Sequence, residues 1–207
     1  MSRMRILASF ALVATLTVSS AWAQQPQGVR VAGKITGVDG PTLTVKTAQD
    51  EVKVTVPANV MVIAGSNGTL ADIKQGSYIG VGATPQADGS QKAIRVNIFA
   101  EPQRGVGEGF RPWDRPNTTM TNATVDTTVK SVDGQVVMLK YKDGEKKIIV
   151  GPDAAIINNV VGDKSELKPG ANVAFPAASK NPDGSFSAAR VNVGRGDALV
   201  FLVDIYQ

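Results

Sequence analysis

The amino-acid sequence predicts an all-β chain, and three observations carry that expectation. The first is a long internal repeat. Ile35-Thr36-Gly37-Val38-Asp39-Gly40 with Leu43-Thr44-Val45-Lys46 returns as Val129-Lys130-Ser131-Val132-Asp133-Gly134 with Val137-Met138-Leu139-Lys140. The offset from Ile35 to Val129 is 94 residues, and Asp72-Ile73-Lys74-Gln75-Gly76 against Glu166-Leu167-Lys168-Pro169-Gly170 keeps it. A repeat of this length marks a duplicated domain rather than a solenoid unit. The second is alternation of apolar and polar residues between Asp-Gly turns, the period of a half-buried strand. The third is that no apolar period of 3.6 residues persists beyond about three turns, which disfavours a helical fold.

Taken in order, Val29 to Val38 alternates and reads as a strand; Asp39-Gly40 turns the chain into a second strand through Leu43, Val45 and Thr47. Gln49-Asp50 leads to a third, Val52, Val54 and Val56, ending at Pro57, and a brief apolar piece follows from Val60 to Ala64. Thr69 to Lys74 suits a single helical turn, capped by Thr69 and stopped by Gly76. Tyr78–Ala83 and Lys92–Phe99 read as two more strands, joined across Asp88-Gly89. The second unit repeats the plan, with strands near 123–132, 136–141, 146–150, 171–177 and 186–193 and a turn at 165–168.

Three strands, a short helical element and two strands is the order of a five-stranded, OB-like Greek-key barrel. The expected architecture is therefore two such barrels in tandem. The expected limits are a leader at 1–23, a first barrel at 24–99, a connector at 100–122 and a second barrel at 123–207. The apolar run Ala198–Tyr206 has no counterpart in the first unit. It is either an extra strand closing the second barrel or an edge offered to a partner.

The leader has the form of a secretory signal. Arg3 and Arg5 supply positive charge, Ile6–Val18 is apolar, and Ala21-Trp22-Ala23 is an A-x-A site, so cleavage is expected after Ala23. The apolar run is shorter than the ~20 residues a membrane span needs, and a soluble periplasmic or secreted product is expected, without membrane insertion after cleavage. The chain has neither Cys nor His. Disulfides are excluded, and so is the commonest ligand for zinc or copper. No metal or other cofactor is expected. Without Arg3 and Arg5 the formal charge falls from +4 to +2, too mild to predict nucleic acid as a partner. Lysines on the strands lack the interleaved aromatics of a single-strand-binding groove, so a solvated face is expected there.

Candidate binding residues fall in the connector. It is rich in Gly and Pro yet carries Arg104, Glu108, Phe110, Arg111, Trp113 and Asp114. Trp and Arg dominate binding hot spots, so this segment reads either as a recognition surface or as a clasp between domains, with Trp113 and Phe110 plugging an apolar groove. Gly105-Val106-Gly107-Glu108-Gly109 lacks the G-x-G-x-x-G spacing and the following helix of a phosphate loop. Asp72 and Glu166, at matching positions, read as capping devices, and no catalytic residues are expected.

The motifs Gly33-x-Ile35, Val38-Asp39-Gly40, Leu43-Thr44-Val45, Val56-Pro57, Asp72-Ile73-Lys74-x-Gly76, Asp88-Gly89-Ser90 and Ala93-Ile94-Arg95 resemble exported bacterial domains of unknown function catalogued as DUF5666, which are regarded as small OB-like β-domains. The second copy departs at Gly151 before Pro152 and at Pro169 before Gly170. The connector Gly107–Asp114, followed by Thr119-Met120-Thr121-Asn122-Ala123, is similar to a two-domain proteobacterial subgroup. The resemblance rests on turn and strand residues and implies fold rather than activity. The expected function is that of an exported, non-enzymatic binding or scaffolding protein, recognising another envelope protein through the connector. The alternative is a soluble periplasmic accessory of an envelope transporter, a metal transporter included, that binds a small solute. The sequence carries no signal for oligomeric state.

Overall fold

A computed structural model of the chain describes residues 28–113, 116–131 and 134–198. The signal sequence with its cleavage site after Ala23, Asp114, and Leu199–Tyr206 of the apolar run lie outside the described residues. The rest is all-β. The strands are β1 (Val29–Asp39), β2 (Thr42–Lys46), β3 (Glu51–Thr55), β4 (Met61–Asn67), β5 (Tyr78–Pro85), β6 (Gln91–Ile98) and β7 (Gly109–Pro112). They continue as β8 (Thr119–Ser131), β9 (Gly134–Tyr141), β10 (Gly144–Val150), β11 (Ala155–Val161), β12 (Asn172–Lys180), β13 (Phe186–Ser187) and β14 (Arg190–Gly194). Single turns of 3₁₀ helix stand at Leu70–Asp72, Glu101–Gln103 and Lys164–Glu166.

The pairings form a closed five-stranded barrel, β8-β9-β10-β6-β5, in which β5 returns to β8. A second ring of pairings runs β1-β2-β3-β13-β12 and closes from β12 to β1, with β13 contributing two residues. Each ring draws its first three strands from one half of the chain and its last two from the other. β3 meets β13 in parallel and β10 meets β6 in parallel. The expected arrangement, each half closing on itself within 24–99 and 123–207, does not describe these pairings. Both copies present the same strand pattern, so the last two strands of either unit fit the first three of either.

The segments after β3 and β10 decide which pairing is made. Val60–Ala64, read as a brief apolar piece, extends into β4. The equivalent stretch of the second unit, where no strand was expected, forms β11. These two strands pair antiparallel with each other, Val160 opposite Ala64 and Ile157 opposite Asn67. β4 also runs parallel to β14 and β11 parallel to β6. The chain thus continues from one ring into the other at this seam instead of turning back. Other departures are smaller. β8 begins at Thr119, inside the expected connector, and the last expected strand is broken into β13 and β14.

The cores follow the exchange. One cluster joins Ile35, Val45, Val54 and Val62 to Leu167, Val173, Phe175 and Val191. The other joins Ile73, Ile79, Val81 and Val96 to Val125, Leu139, Ile148 and Val150. Leu167 and Ile73, each just past a helical turn, plug the ring completed by strands of the other half. The turns are held as their sequence implies. The Asp72 carboxylate accepts from the Thr69 backbone N–H (2.7 Å), and Glu166 accepts from that of Asp163 (3.0 Å). Glu166 also receives a two-pronged contact from Arg195, at 2.8 and 2.9 Å.

Because each core is shared, damage to one ring reaches both halves. Phe175→Ala should cost about 3–5 kcal/mol. Hydrogen exchange should then lose protection in β1–β3 together with β12, whereas self-contained halves would confine the loss to the second. A second prediction concerns pH. The Arg195 guanidinium, then the Asp163 N–H, hold the Glu166 carboxyl below its ordinary value. A depressed carboxyl stabilises the fold above its unfolded value of about 4.3 and loses that contribution as pH falls through the folded value. Glu166→Gln should therefore cost on the order of 1 kcal/mol at neutral pH, and the difference from the parent should vanish in acid, as read by urea titrations across pH.

Candidate functional site

The connector leaves β6 at Ile98 and lies against the outer wall of the closed barrel. Its first turn is fixed by Gln103, whose buried side chain accepts from the Ala100 N–H at 3.2 Å. Arg104 then grips Glu101 through Nε (2.6 Å) and Nη2 (2.9 Å), and Nη2 also donates to the Gly76 carbonyl at 3.1 Å. The pairing holds the Glu101 carboxyl low and the Arg104 guanidinium high. Arg104 lies 6.0 Å from the Tyr78 ring centre, within cation–π range. Tyr78 in turn packs on Phe99 at 5.5 Å. Burial, then the Glu108 charge, pushes the Tyr78 hydroxyl up, and that hydroxyl donates to the Val106 carbonyl at 3.3 Å.

The middle of the connector is tied to both neighbouring strands. Asn122 Nδ2 donates to Val106 O (3.0 Å), and Glu108 Oε1 accepts from the Lys142 backbone N–H (3.0 Å). Gly109–Pro112 then forms β7, which pairs antiparallel with β8, Gly109 opposite Asn122 and Pro112 opposite Thr119. Arg111 Nη1 donates to Gly107 O at 2.8 Å. Beyond β7, Trp113 donates its backbone N–H to Thr118 O at 3.0 Å, and its ring lies on Gly82 of β5. A Cβ at Gly82 would overlap the Trp113 ring atoms, and one at Gly80 would stand 2.9 Å from the ring of Phe99. Two glycines on the outward face of one strand make room for two aromatic rings.

The five described of the six expected binding residues do not converge on one site. Trp113 packs inward on β5, and Arg104 is spent on Glu101 at the other end of the segment. Asp114 lies outside the described residues. Glu108, Phe110 and Arg111 do come together, lining a cleft of about 330 Å³ with Tyr141 and Asp143. Phe110 is 40% exposed there, with Lys146 Nζ 4.3 Å from its ring centre. Trp113 packs on the wall of one barrel rather than between two domains, and Phe110, expected beside it in a groove, stays exposed with Arg111.

Sequence reasoning passed over Gly80, Gly82, Tyr78 and Phe99. A signal was present: isolated glycines within a strand mark close approach of another group. The second copy carries Ala174 and Pro176 where the first has Gly80 and Gly82. No protein-family profile, curated protein or solved structure matches the chain.

The packing makes Gly82 and Phe110 opposites in effect. Gly82→Ala should displace the Trp113 ring at a cost of about 1–3 kcal/mol, the usual penalty of overpacking. Trp22 is the other Trp and precedes the expected cleavage site, so emission of the mature chain reports Trp113 and should shift to the red. Phe110→Ala should leave emission and melting temperature near the parent values.

Proposed function

We propose that this chain is an exported, non-enzymatic binding or scaffolding protein that recognises another envelope protein through the outer side of its connector. The observation that carries the reading is β7. It lies outside the closed barrel and pairs on one edge with β8, and no described strand pairs with its other edge. Such an edge is a template for strand addition. Beside it stand exposed Phe110 and Arg111 and the cleft they form with Asp143. Trp113 anchors the strand from below, so the edge is presented on a rigid base rather than on a loop, which lowers the ordering cost of binding.

The carboxyls of Asp72, Asp88, Glu101, Asp163, Glu166 and Asp183 are held low by hydrogen bonds in caps, turns or ion pairs, so these six are committed to the scaffold. Support for two OB-like barrels comes from strand order. Numbered within each half with β4 and β11 left out, each ring runs first, second, third, fifth, fourth and back to first, with a helical turn before the fourth. The tandem form would then be an exchanged one.

The test separates display from anchoring. Phe110→Ala with Arg111→Ala should abolish capture of a partner in quantitative periplasmic pull-downs while circular dichroism and melting stay unchanged. Unchanged capture by that folded double variant removes the connector as the recognition surface.

A further inference from the structure

Each ring turns one arginine and one asparagine outward beside the seam, and the two rings treat them differently. β6 carries Arg95 and Asn97, and β14 carries Arg190 and Asn192 at the twin positions. Arg95 and Asn97 lie opposite Ala155 and Ile157 of β11, whereas Arg190 and Asn192 lie opposite Met61 and Ile63 of β4. On its other side Arg95 stands opposite Gly82, on which the Trp113 ring lies, and it is only 4% exposed. In the other ring Asn192 stands opposite Ala174. Ala174 and Pro176 replace the two glycines on that wall, and Arg190 and Asn192 stay half-buried.

Val191 and Val193 enter the core, so Arg190 and Asn192 share the outer face of β14. On that face β4 presents Met61 and the buried Ile63, and β11 presents Val161 opposite Ile63. Met61 is 43% exposed and Val161 60%. The Arg190 side chain forms no hydrogen bond or ion pair with any described residue, and burial alone, with no acidic neighbour acting on it, holds its pKa below the ordinary arginine value. The Asn192 side-chain amide is equally unspent, and its Oδ1 is buried without a partner. Taking a guanidinium partly out of water costs free energy, which a hydrogen-bonded anion offsets. The next cation along the chain, Arg195, is already held by Glu166. The face therefore offers one positive charge, an amide beside it and an apolar floor. That combination suits a monoanion with an apolar body better than a phosphate dianion. We propose that Arg190 and Asn192 bind the carboxylate of a small organic acid, with Met61, Ile63 and Val161 receiving its hydrocarbon part. The site lies on the seam and is independent of the connector.

The test observes these side chains directly in the full mature chain. Titration with isocaproate, followed by nitrogen-15 and methyl resonances, should shift the Arg190 Nε–H, the Asn192 side-chain amide and the Met61 methyl together. The shifts should saturate with a dissociation constant on the order of 1 mM. Isocaproamide, of the same shape without the charge, should leave all three in place, and the Arg104 and Arg111 signals should not respond to either compound. Arg190→Gln should weaken isocaproate binding at least about tenfold, the effect of losing a charge-assisted hydrogen-bonded pair, with its melting temperature near the parent value. Absence of a saturable shift at Arg190 in the parent overturns the proposal, as do equal shifts with the neutral amide or undiminished binding by Arg190→Gln. Inorganic phosphate serves as the competing anion. Tighter binding of phosphate than of isocaproate overturns the carboxylate assignment.

Discussion

The antiparallel pairing of β4 with β11 is the contact on which the remaining architecture depends. It sits between two parallel pairings, β14 with β4 and β11 with β6, and so joins the two rings into one continuous sheet. Val62, Ile63, Ala64 and Gly65 are all buried there. A turn in place of either strand would return the chain to its own first three strands. An extended segment delivers it to those of the other copy. Strand exchange of this kind usually joins separate protomers. Here both partners lie in one chain, and neither core is complete without both halves.

The connector follows from the same constraint. It leaves a fourth-and-fifth-strand pair in the barrel built on β8, β9 and β10, and must lead into β8 itself. It therefore crosses the wall of a single barrel rather than bridging two, which is why its clasp contacts are with β5, β8 and the turn after β9. Gly80 and Gly82 lower that wall enough for Phe99 and Trp113 to lie on it. The segment divides by face: Trp113 and Gln103 are turned to the barrel, Phe110 and Arg111 to solvent.

Local features were legible in the sequence to within a few residues. The alternation marked β1, β2, β3, β5 and β6 and their copies because a strand with one buried face writes a period of two directly into the chain. The Asp-Gly-Ser turns were legible for a similar reason. In both copies the Asp carboxylate accepts from the Ser N–H two residues on, at 3.0 Å, and the Gly takes φ near +80° (81° at Gly89, 85° at Gly184). The caps at Thr69–Asp72 and Asp163–Glu166 belong with them. β4 and β11 were harder. Both faces of β4 are covered, so it shows a continuous apolar run with no period, and in β11 Asn158 and Asn159 interrupt the apolar pattern. β7 carries Gly, Phe, Arg and Pro, which no propensity argument makes a strand; β8 does that by pairing with it.

The all-β class, the turns, the caps and the unusual aromatic connector were all readable from the chain alone. These are short-range properties, set by contacts among residues close in the chain. Which half's strands complete which ring, and that Trp113 is spent on Gly82, follow from the folded arrangement alone. Two copies with one pattern offer equivalent edges to each other. The choice between them is made by contacts across most of the chain's length, which no local period records.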